Sequence, residues 1–262
     1  MLSAKGIYDE IFGNDEAFRL FCSIAASGEA QGGWENGRIA ALVPGSFAEL
    51  APKIARHGAD EDKHGRIFNA LLRKRNLTPV AVPAETDYTM RLENMGIGLA
   101  HSKLRRDEPL TEADIITYLA HSRVTEQRAS EQMRSLRKRS AGNPDVSRAI
   151  RMISDDEDNH LAYCHEELLR LSAAGHGHTI QATLRTTAHA EIVVYRDVSK
   201  AVTAHLGHAL HWPRIKSAVV ARGIDIVYLY ERLVAWRRMT TLHMPARPNA
   251  LGVPASAQRE FS

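Results

Sequence analysis

Two near-identical hexapeptides lie 96 residues apart and constrain the fold more than any other feature of this sequence. Residues 59–64 read ADEDKH and residues 155–160 read DDEDNH, so each contains a glutamate followed three positions later by a histidine. Positions i and i+3 share one face of a helix. On helices, each pair is therefore predicted to aim at a single point: Glu61 with His64, and Glu157 with His160.

Helix signals dominate the rest of the chain, and no segment shows the sustained alternation of a strand. We predict an all-α fold of about seven helices: a four-helix bundle at 15–41, 46–75, 111–139 and 145–173, and additional helices at 85–105, 178–209 and 213–243. Residues 1–244 are predicted to form one domain and 245–262 a flexible tail. Each Glu-x-x-His would then lie on the second helix of a hairpin.

Three sequence signals suggest where the first two bundle helices begin. Asp15 is the expected N-cap of the first, and Ser46 with Glu49 has the spacing of a capping box for the second. Pro52 either kinks that second helix or moves its regular start later.

In each hairpin, the first helix contains a glutamate that is expected to lie opposite the Glu-x-x-His motif of the second helix. Antiparallel helices joined by a tight turn meet at equal distances from that turn, and this register selects Glu29 opposite Glu61 and Glu126 opposite Glu157. The alternatives, Glu35 and Glu131, lie six and five residues closer to their turns. That difference corresponds to roughly 8–9 Å of helix rise.

This pattern of Glu, Glu-x-x-His, Glu, Glu-x-x-His resembles the ferritin-like di-iron carboxylate proteins, over about 15–75 and 111–173. The resemblance implies two iron ions, or a manganese–iron pair, with O₂ as co-substrate. The implied ligands are Glu29, Glu61, His64, Glu126, Glu157 and His160. The alternative is that two chance motifs occur on a plain helical bundle.

Several neighbouring residues have two interpretations. His57, one turn before Glu61, is either an extra ligand or donor to the site or an ordinary core histidine. His189, with Glu191, is either an added ligand from a later helix, as in some di-iron N-oxygenases, or one of several surface histidines. Gly32 and Gly33, beside Glu29, either admit a neighbouring helix closely or leave space for a substrate.

The resemblance favours an O₂-activating di-iron oxygenase or oxidase that acts on an organic small molecule and receives electrons from an external donor. One alternative is a ferritin- or rubrerythrin-like protein that handles iron or removes peroxide, although rubrerythrin-type cysteines are absent. A second is a tRNA hydroxylase of similar fold, suggested only by basic clusters such as RSLRKR at 134–139.

Composition limits the remaining classes. The formal net charge of +3 permits an acidic partner without requiring one. The chain has only two cysteines, Cys22 and Cys164, which favours a reducing, cytoplasmic setting without a disulfide framework. No apolar run reaches the length of a membrane span, and we expect neither a membrane nor a nucleic-acid partner. The apolar segment 178–243 must bury a face. It either pads the bundle or forms a homodimer interface, or it closes an apolar substrate chamber beside Gly32, Gly33 and Glu29.

Overall fold

The computed structural model describes residues 3–242, and these residues form helices and connecting turns with no strand. The all-α prediction is confirmed. The helices are α1 (Ala4–Gly13), α2 (Asp15–Leu42), α3 (Ala51–Lys74), α4 (Tyr88–Asn94), α5 (His101–Leu104), α6 (Glu112–Arg139), α7 (Pro144–Leu171), α8 (Gly177–Ala209), α9 (Arg214–Tyr230) and α10 (Arg237–Thr240). The predicted tail at 245–262 lies outside the described residues.

Side-chain caps set where the long helices begin. The Asn14 side chain accepts a hydrogen bond from the Ala17 N–H at 2.9 Å, so the cap of α2 is Asn14 and not the predicted Asp15. Thr111 forms a capping box with Asp114 at the start of α6. These caps satisfy backbone donors that have no partner within the helix.

The predicted start of the second bundle helix is wrong. Residues Gly45–Leu50 form a 3₁₀ segment, and α3 begins at Ala51 with Pro52 in its first turn and no side-chain cap. Proline is tolerated there because the first helical N–H groups have no acceptor within the helix. Of the two effects considered for Pro52, the later start is the one observed.

The predicted helix at 85–105 is also wrong. It is divided into a 3₁₀ turn (Ala84–Thr86) and the short helices α4 and α5. Gly96 and Gly98 between them have φ values of 72° and 82°, a region that residues with a Cβ rarely adopt. A Cβ at Gly98 would also lie 3.0 Å from Nδ1 of His121, so both conformation and space favour glycine.

Two more boundaries differ from the prediction, which brings the number of helices above seven. Helix α1 precedes Asp15 and was not predicted. The predicted helix at 213–243 is interrupted by a π-helical segment, Glu231–Ala235, between α9 and α10. Irregular turns of this kind depend on tertiary contacts, which helix periodicity does not report.

The long helices pack in pairs. Helix α2 packs along α3, α6 packs along α7, and α3 also contacts α7. The backbones of α2 and α3 approach closely at two glycines, because a Cβ on Gly58 would lie 3.0 Å from the Gly33 carbonyl oxygen. The finer prediction, a ferritin-like bundle, stays a prediction that this arrangement is compatible with.

The middle of α3 and α7 lies between two apolar cores. One core contains Ile54 near the start of α3 and Leu168 near the end of α7. The other contains Phe68 and Leu72 near the end of α3 and Ile153 in the first half of α7. Both Glu-x-x-His motifs therefore lie at one level, enclosed above and below by packed apolar side chains.

The additional helices cover one side of this assembly. Helix α8 packs on α6 and α4, and α9 packs on α8. The outward face of α9 leaves apolar side chains exposed, among them Ile215, Ile226 and Leu229. Of the helices in the described range, none combines the length and apolar character needed to cross a membrane.

Candidate metal centre

The sequence-predicted ligands come together in two groups of side chains that share one carboxylate. The Glu29 group consists of Glu29, Glu61, His64 and Glu157, and the Glu126 group consists of His57, Glu61, Glu126 and His160. Within each group, one ligand atom per residue lies within 4.8 Å of all the others. All six predicted residues are members, and His57 is an additional one.

Regular helix geometry places these residues. Glu61 with His64 and Glu157 with His160 are i, i+3 pairs inside uninterrupted helices, so each pair faces one direction. Glu29 and Glu126 are supplied by the helices that pack beside them, α2 and α6. The rejected alternatives have other partners: Glu35 contacts His101 at 2.5 Å, and Glu131 binds Arg238 at 2.8 Å.

The site is buried, and the pKa values of its carboxyl groups shift in different directions. Burial and the nearby Glu61 carboxylate raise the pKa of Glu29 well above its ordinary value. Burial and the Glu126 and Glu61 carboxylates raise the pKa of Glu157 in the same way. Carboxylates this close together repel one another, so the metal-free protein holds protons on part of this set.

His57 reverses that effect for the other two carboxyl groups. Its Nε2 lies 3.2 Å from Glu61 and 3.3 Å from Glu126. Burial disfavours the imidazolium, but the Glu126 and Glu61 carboxylates outweigh it and raise the pKa of His57 to about 10. Burial likewise opposes ionisation of Glu61 and Glu126, but His57 outweighs it and lowers both pKa values.

A buried hydrogen-bond chain fixes the orientation of His57. Its Nδ1 lies 2.9 Å from the Tyr163 hydroxyl, which lies 2.6 Å from the Tyr118 hydroxyl, and Tyr118 donates to Oδ1 of Asn36 at 2.7 Å. Each tyrosine has one hydroxyl proton. Since Tyr118 donates to Asn36, Tyr163 donates to Tyr118 and accepts from Nδ1–H of His57. Nε2 of His57 is thereby left to face the carboxylates.

The residue before each motif glutamate supports the histidine of the opposite motif. Asp156 lies 3.0 Å from Nε2 of His64, and Asp60 lies 3.5 Å from Nε2 of His160. The Lys63 ammonium binds both aspartates, at 2.5 Å and 3.0 Å. The Asp156 contact is a hydrogen bond of the kind that fixes the ring orientation of metal-ligating histidines, whereas the longer Asp60 contact is an ion-pair approach without hydrogen-bond geometry. Asp60 and Asp156 therefore occupy equivalent positions in the two halves of the repeat.

Polar atoms without hydrogen-bond partners are concentrated at this site. Among residues 3–242 they include Nε2 of His57, Oε2 of Glu126, Oε2 of Glu157 and both ring nitrogens of His160. Leaving such buried atoms unsatisfied costs about 1–3 kcal/mol each. Metal ions bound among them would supply the missing partners, so the residues present fit a dinuclear centre.

The donor set also favours particular metals. Oxygen donors combined with imidazoles suit iron or manganese, whereas zinc would bind without redox activity. Ligands on opposite sides of one ion with bonds of roughly 2.0–2.2 Å lie about 4 Å apart. The spacing within each group is therefore close to what a transition-metal ion requires.

A cavity of about 730 Å³ opens beside the site. Its wall includes Glu29, His57, Glu61, Glu126 and Glu157. The remaining wall comes from α1, α2, α6, α8 and α9 and the segment around α4. The two ligand groups thus face an enclosed space on one side and packed helices on the other.

Three residues that the sequence suggested for the site lie outside both the ligand groups and the cavity wall: Gly33, His189 and Glu191. Gly33 faces α3, where a Cβ would lie 2.4 Å from Oδ1 of Asp62, so it permits close helix packing and does not line the cavity. Gly32 and Gly28 do line it. The structure places His189 against Trp236, with ring centroids 4.6 Å apart, and Glu191 binds Arg128. Neither belongs to a ligand group.

No protein-family model, curated protein or solved structure matches this chain. The likeness to ferritin-like di-iron proteins therefore rests on the residues and their arrangement. Buried His and Glu groups able to hold metal ions are compatible with such a centre.

Proposed function

We propose that this chain is a dinuclear metal oxidoreductase that uses O₂ to oxidise an organic small molecule. The observation that carries the proposal is the contact between the cavity and five of the seven candidate ligands. A volume of about 730 Å³ lies within the range of small-molecule sites. A substrate bound there would touch the side chains that hold the metals.

Iron is the proposed metal, with a manganese–iron pair as the alternative. When bound, a reduced metal pair supplies electrons to O₂. Overall, insertion of one oxygen atom into a C–H bond would consume one O₂, two electrons and two protons and release the second oxygen atom as water, and the two electrons are those that an external reductant returns to the metal pair in each cycle. The chain would receive these electrons from a partner protein or a small reductant.

The chain's own residues prepare the site. Asp156 and Asp60 hold the imidazoles of His64 and His160, and Tyr163 holds His57. Carboxylate pairs on facing helices can change their mode of binding without moving the backbone. The apolar side chains around the cavity exclude water from the reacting atoms.

The cavity wall also bears on the alternatives. Side chains such as Ile24, Met133 and Val202 line part of this space, and they suit an organic substrate more than a hydrated iron ion. A tRNA substrate needs cationic groups at the site, and the only Lys or Arg on the described wall is Arg128, which is bound to Glu191 and Glu231. Both features favour a small organic substrate.

The test begins with metal-free protein loaded anaerobically with Fe(II). We expect about two iron ions per chain by elemental analysis. On exposure to air with a reductant, we expect O₂ consumption that rises when the correct substrate from a metabolite panel is added. Iron accumulating far beyond two per chain, or O₂ uptake that no organic compound stimulates, would overturn the proposal in favour of iron handling.

A matched pair of variants links this activity to the site. Glu126→Ala removes a member of the Glu126 group, whereas Glu131→Ala removes a carboxylate that is bound to Arg238, five residues further along the same helix. Only Glu126→Ala is expected to lower iron content and O₂ consumption strongly. Equal losses in the two variants would mean that the assigned register of α6 is wrong.

A further inference from the structure

The cavity extends to both sides of the ligand groups, and the two sides differ in chemistry. Toward α1 and the N-terminal half of α2 lies an apolar arm, lined by side chains such as Ile7, Phe21, Ile24, Met133, Val202 and Ile224. Toward the C-terminal half of α2 lies a polar arm, lined by Gln31, Glu35, Asn36, His121, Ser122 and Thr125. Glu29 and Glu126 lie at the junction of the two arms.

The apolar arm is long, and helices outside the packed pairs α2–α3 and α6–α7 close it. It follows α2 for eight residues from Glu29 back to Phe21. This corresponds to roughly 12 Å of helix rise. Helices α8 and α9 close it with Val202, Leu206 and Ile224. Gln132, Ser135, Ser199 and Thr203 also lie on the cavity wall, but the arm is mainly apolar, and such a space removes a hydrocarbon chain from water.

The polar arm offers hydrogen bonds but no free positive charge. Glu35 is held by His101 at 2.5 Å, and Asn36 accepts from Tyr118. Burial lowers the pKa of His121 to about 4, so this imidazole is neutral at pH 7, and its buried Nε2 has no hydrogen-bond partner among the described residues. His121 thus adds a neutral imidazole to the wall of the polar arm.

Arg128, the cationic side chain on the described wall, is already neutralised. Its guanidinium donates to Glu191 at 2.7 Å and to Glu231 at 2.7 Å, and it lies 3.9 Å from the centre of the Tyr195 ring. A ligand carboxylate or phosphate would therefore meet no free counter-charge in either arm. At the junction, the four carboxylates of the ligand groups balance the charge of two divalent ions, so a bound metal pair leaves no net positive charge there for an anionic ligand.

We propose that the cavity binds a straight-chain amphiphile with an uncharged polar head, such as an alkyl alcohol, aldehyde or amide. The chain occupies the apolar arm and the head occupies the polar arm. The carbons next to the head then lie beside Glu29 and Glu126 at the junction. The identity of this ligand as the substrate rests on the proposed function, whereas its binding does not.

Binding is tested on the full chain saturated with Zn²⁺, which does not react with O₂. Calorimetric titration would compare n-alkyl alcohols of increasing length with the carboxylates of the same length. Each added methylene is expected to tighten binding about four-fold until the arm is filled, the fold-change that corresponds to about 0.8 kcal/mol per buried CH₂. Alcohols are expected to bind at least ten-fold more tightly than the matching carboxylates.

Two matched pairs of substitutions locate the chain. Ile224→Trp fills the far end of the apolar arm, whereas Ile226→Trp adds the same bulk on the exposed face of the same helix. Only Ile224→Trp is expected to shorten the longest alcohol that gains affinity. Ala25→Phe, one turn before Glu29, is expected to weaken all chain lengths, and the exposed Ala30→Phe is expected to weaken none.

Equal affinity for alcohols and carboxylates, no dependence on chain length, or equal effects of Ile224→Trp and Ile226→Trp would each overturn the proposal. Circular dichroism of every variant distinguishes a blocked arm from an unfolded chain, and the Ile224 pair remains informative if Ala25→Phe does not fold. Because zinc is redox-silent, these results are independent of O₂ chemistry. Alcohol binding without substrate-stimulated O₂ uptake would reject the proposed function and keep the binding site.

Discussion

The Glu29 group and the Glu126 group are built from the same repeated motif, yet their donor sets differ. The Glu29 group has three carboxylates and one imidazole, whereas the Glu126 group has two carboxylates and two imidazoles. The additional imidazole originates at one position of the repeat, whereas the additional carboxylate arises because Glu61 is shared and Glu157 belongs to the Glu29 group alone. His57 precedes Glu61 by four residues, and the residue in the same place before Glu157 is Ile153, which is fully buried in an apolar core.

The presence of His57 is accompanied by different pKa shifts among the carboxyl groups. The carboxyl groups beside His57, Glu61 and Glu126, have lowered pKa values, whereas Glu29 and Glu157 have raised ones. The carboxyl groups of the candidate centre therefore differ in their affinity for protons. The repeated motif supplies equivalent ligands to both groups, and His57, which has no counterpart in the second half of the repeat, contributes to the chemical difference between them.

The largest effect is expected from the residue that the two groups share. Glu61→Ala should reduce bound iron from about two ions per chain to well below one, because it removes a carboxylate from both groups. Glu29→Ala leaves the Glu126 group complete and should retain about one ion. Elemental analysis after exhaustive dialysis measures both. If the two variants retained equal amounts of iron, Glu61 would not be a shared ligand.

The next effect isolates the unequal position. His57→Ile copies the residue found in the other half of the repeat and should weaken the second bound ion by about 100-fold, and the first by much less, through the shared Glu61. Tyr163→Phe keeps the imidazole and removes only its hydrogen-bond partner, so a loss of about 10-fold is expected. Competition with a metal chelator measures both affinities. A uniform loss for both ions in His57→Ile would show that His57 acts through the fold and not as a ligand.

A smaller, crossed effect is expected from the two aspartates. Asp156 contacts His64 of the Glu29 group, and Asp60 contacts His160 of the Glu126 group, so each helix supports the histidine of the other. Asp156→Ala should weaken the first group by about 10-fold, and Asp60→Ala should weaken the second by less, since its contact is longer. The same chelator titration separates the two ions. Effects on the group of the aspartate's own helix would contradict the crossed arrangement.

The smallest effect concerns the pH dependence of the metal-free protein. His57 has a raised pKa, so its contribution to stability is complete below its ordinary value of 6.5 and is lost as the pH rises through about 10. The raised pKa values of Glu29 and Glu157 act in the same direction above 4.5. Thermal unfolding temperature should therefore fall between pH 6.5 and pH 10.

His57→Ile supplies the control for that measurement, because it should flatten the decline over this pH range. Metal-loaded protein should behave in the opposite way. Since the ligands must lose protons to bind metal, the stabilisation by metal should increase with pH. A metal-free wild-type protein whose unfolding temperature rises across this range would contradict the assigned direction of the His57 shift.

Much of the candidate site follows from local sequence. The common direction of an i, i+3 pair follows from the regular geometry of one helix. The positions of Glu29 and Glu126 opposite the two motifs follow from counting residues back from a short turn between antiparallel helices. The structure brings those six residues together, although their binding of metal stays a prediction. The chance alternative, two unrelated motifs on a plain bundle, would not have placed them within two compact groups.

Other features required the tertiary structure. His57 lies on the correct face in the sequence, but a core histidine has the same pattern, and only contacts with Glu126 and Tyr163 on other helices distinguish the two. The crossed aspartates depend on the distance between α3 and α7. The helix predicted at 85–105 fails because Gly96 and Gly98 adopt turn conformations that apolar periodicity does not encode.

The sequence by itself therefore determined the helical class and the identity and level of the paired carboxylates and imidazoles. These depend on spacing within one helix or across one turn. Only the tertiary structure decided that the two ligand groups are unequal and that a cavity with one apolar and one polar arm lies beside them. These depend on the relative placement of α1, α2, α6, α8 and α9, and that placement results from packing between residues far apart in the chain.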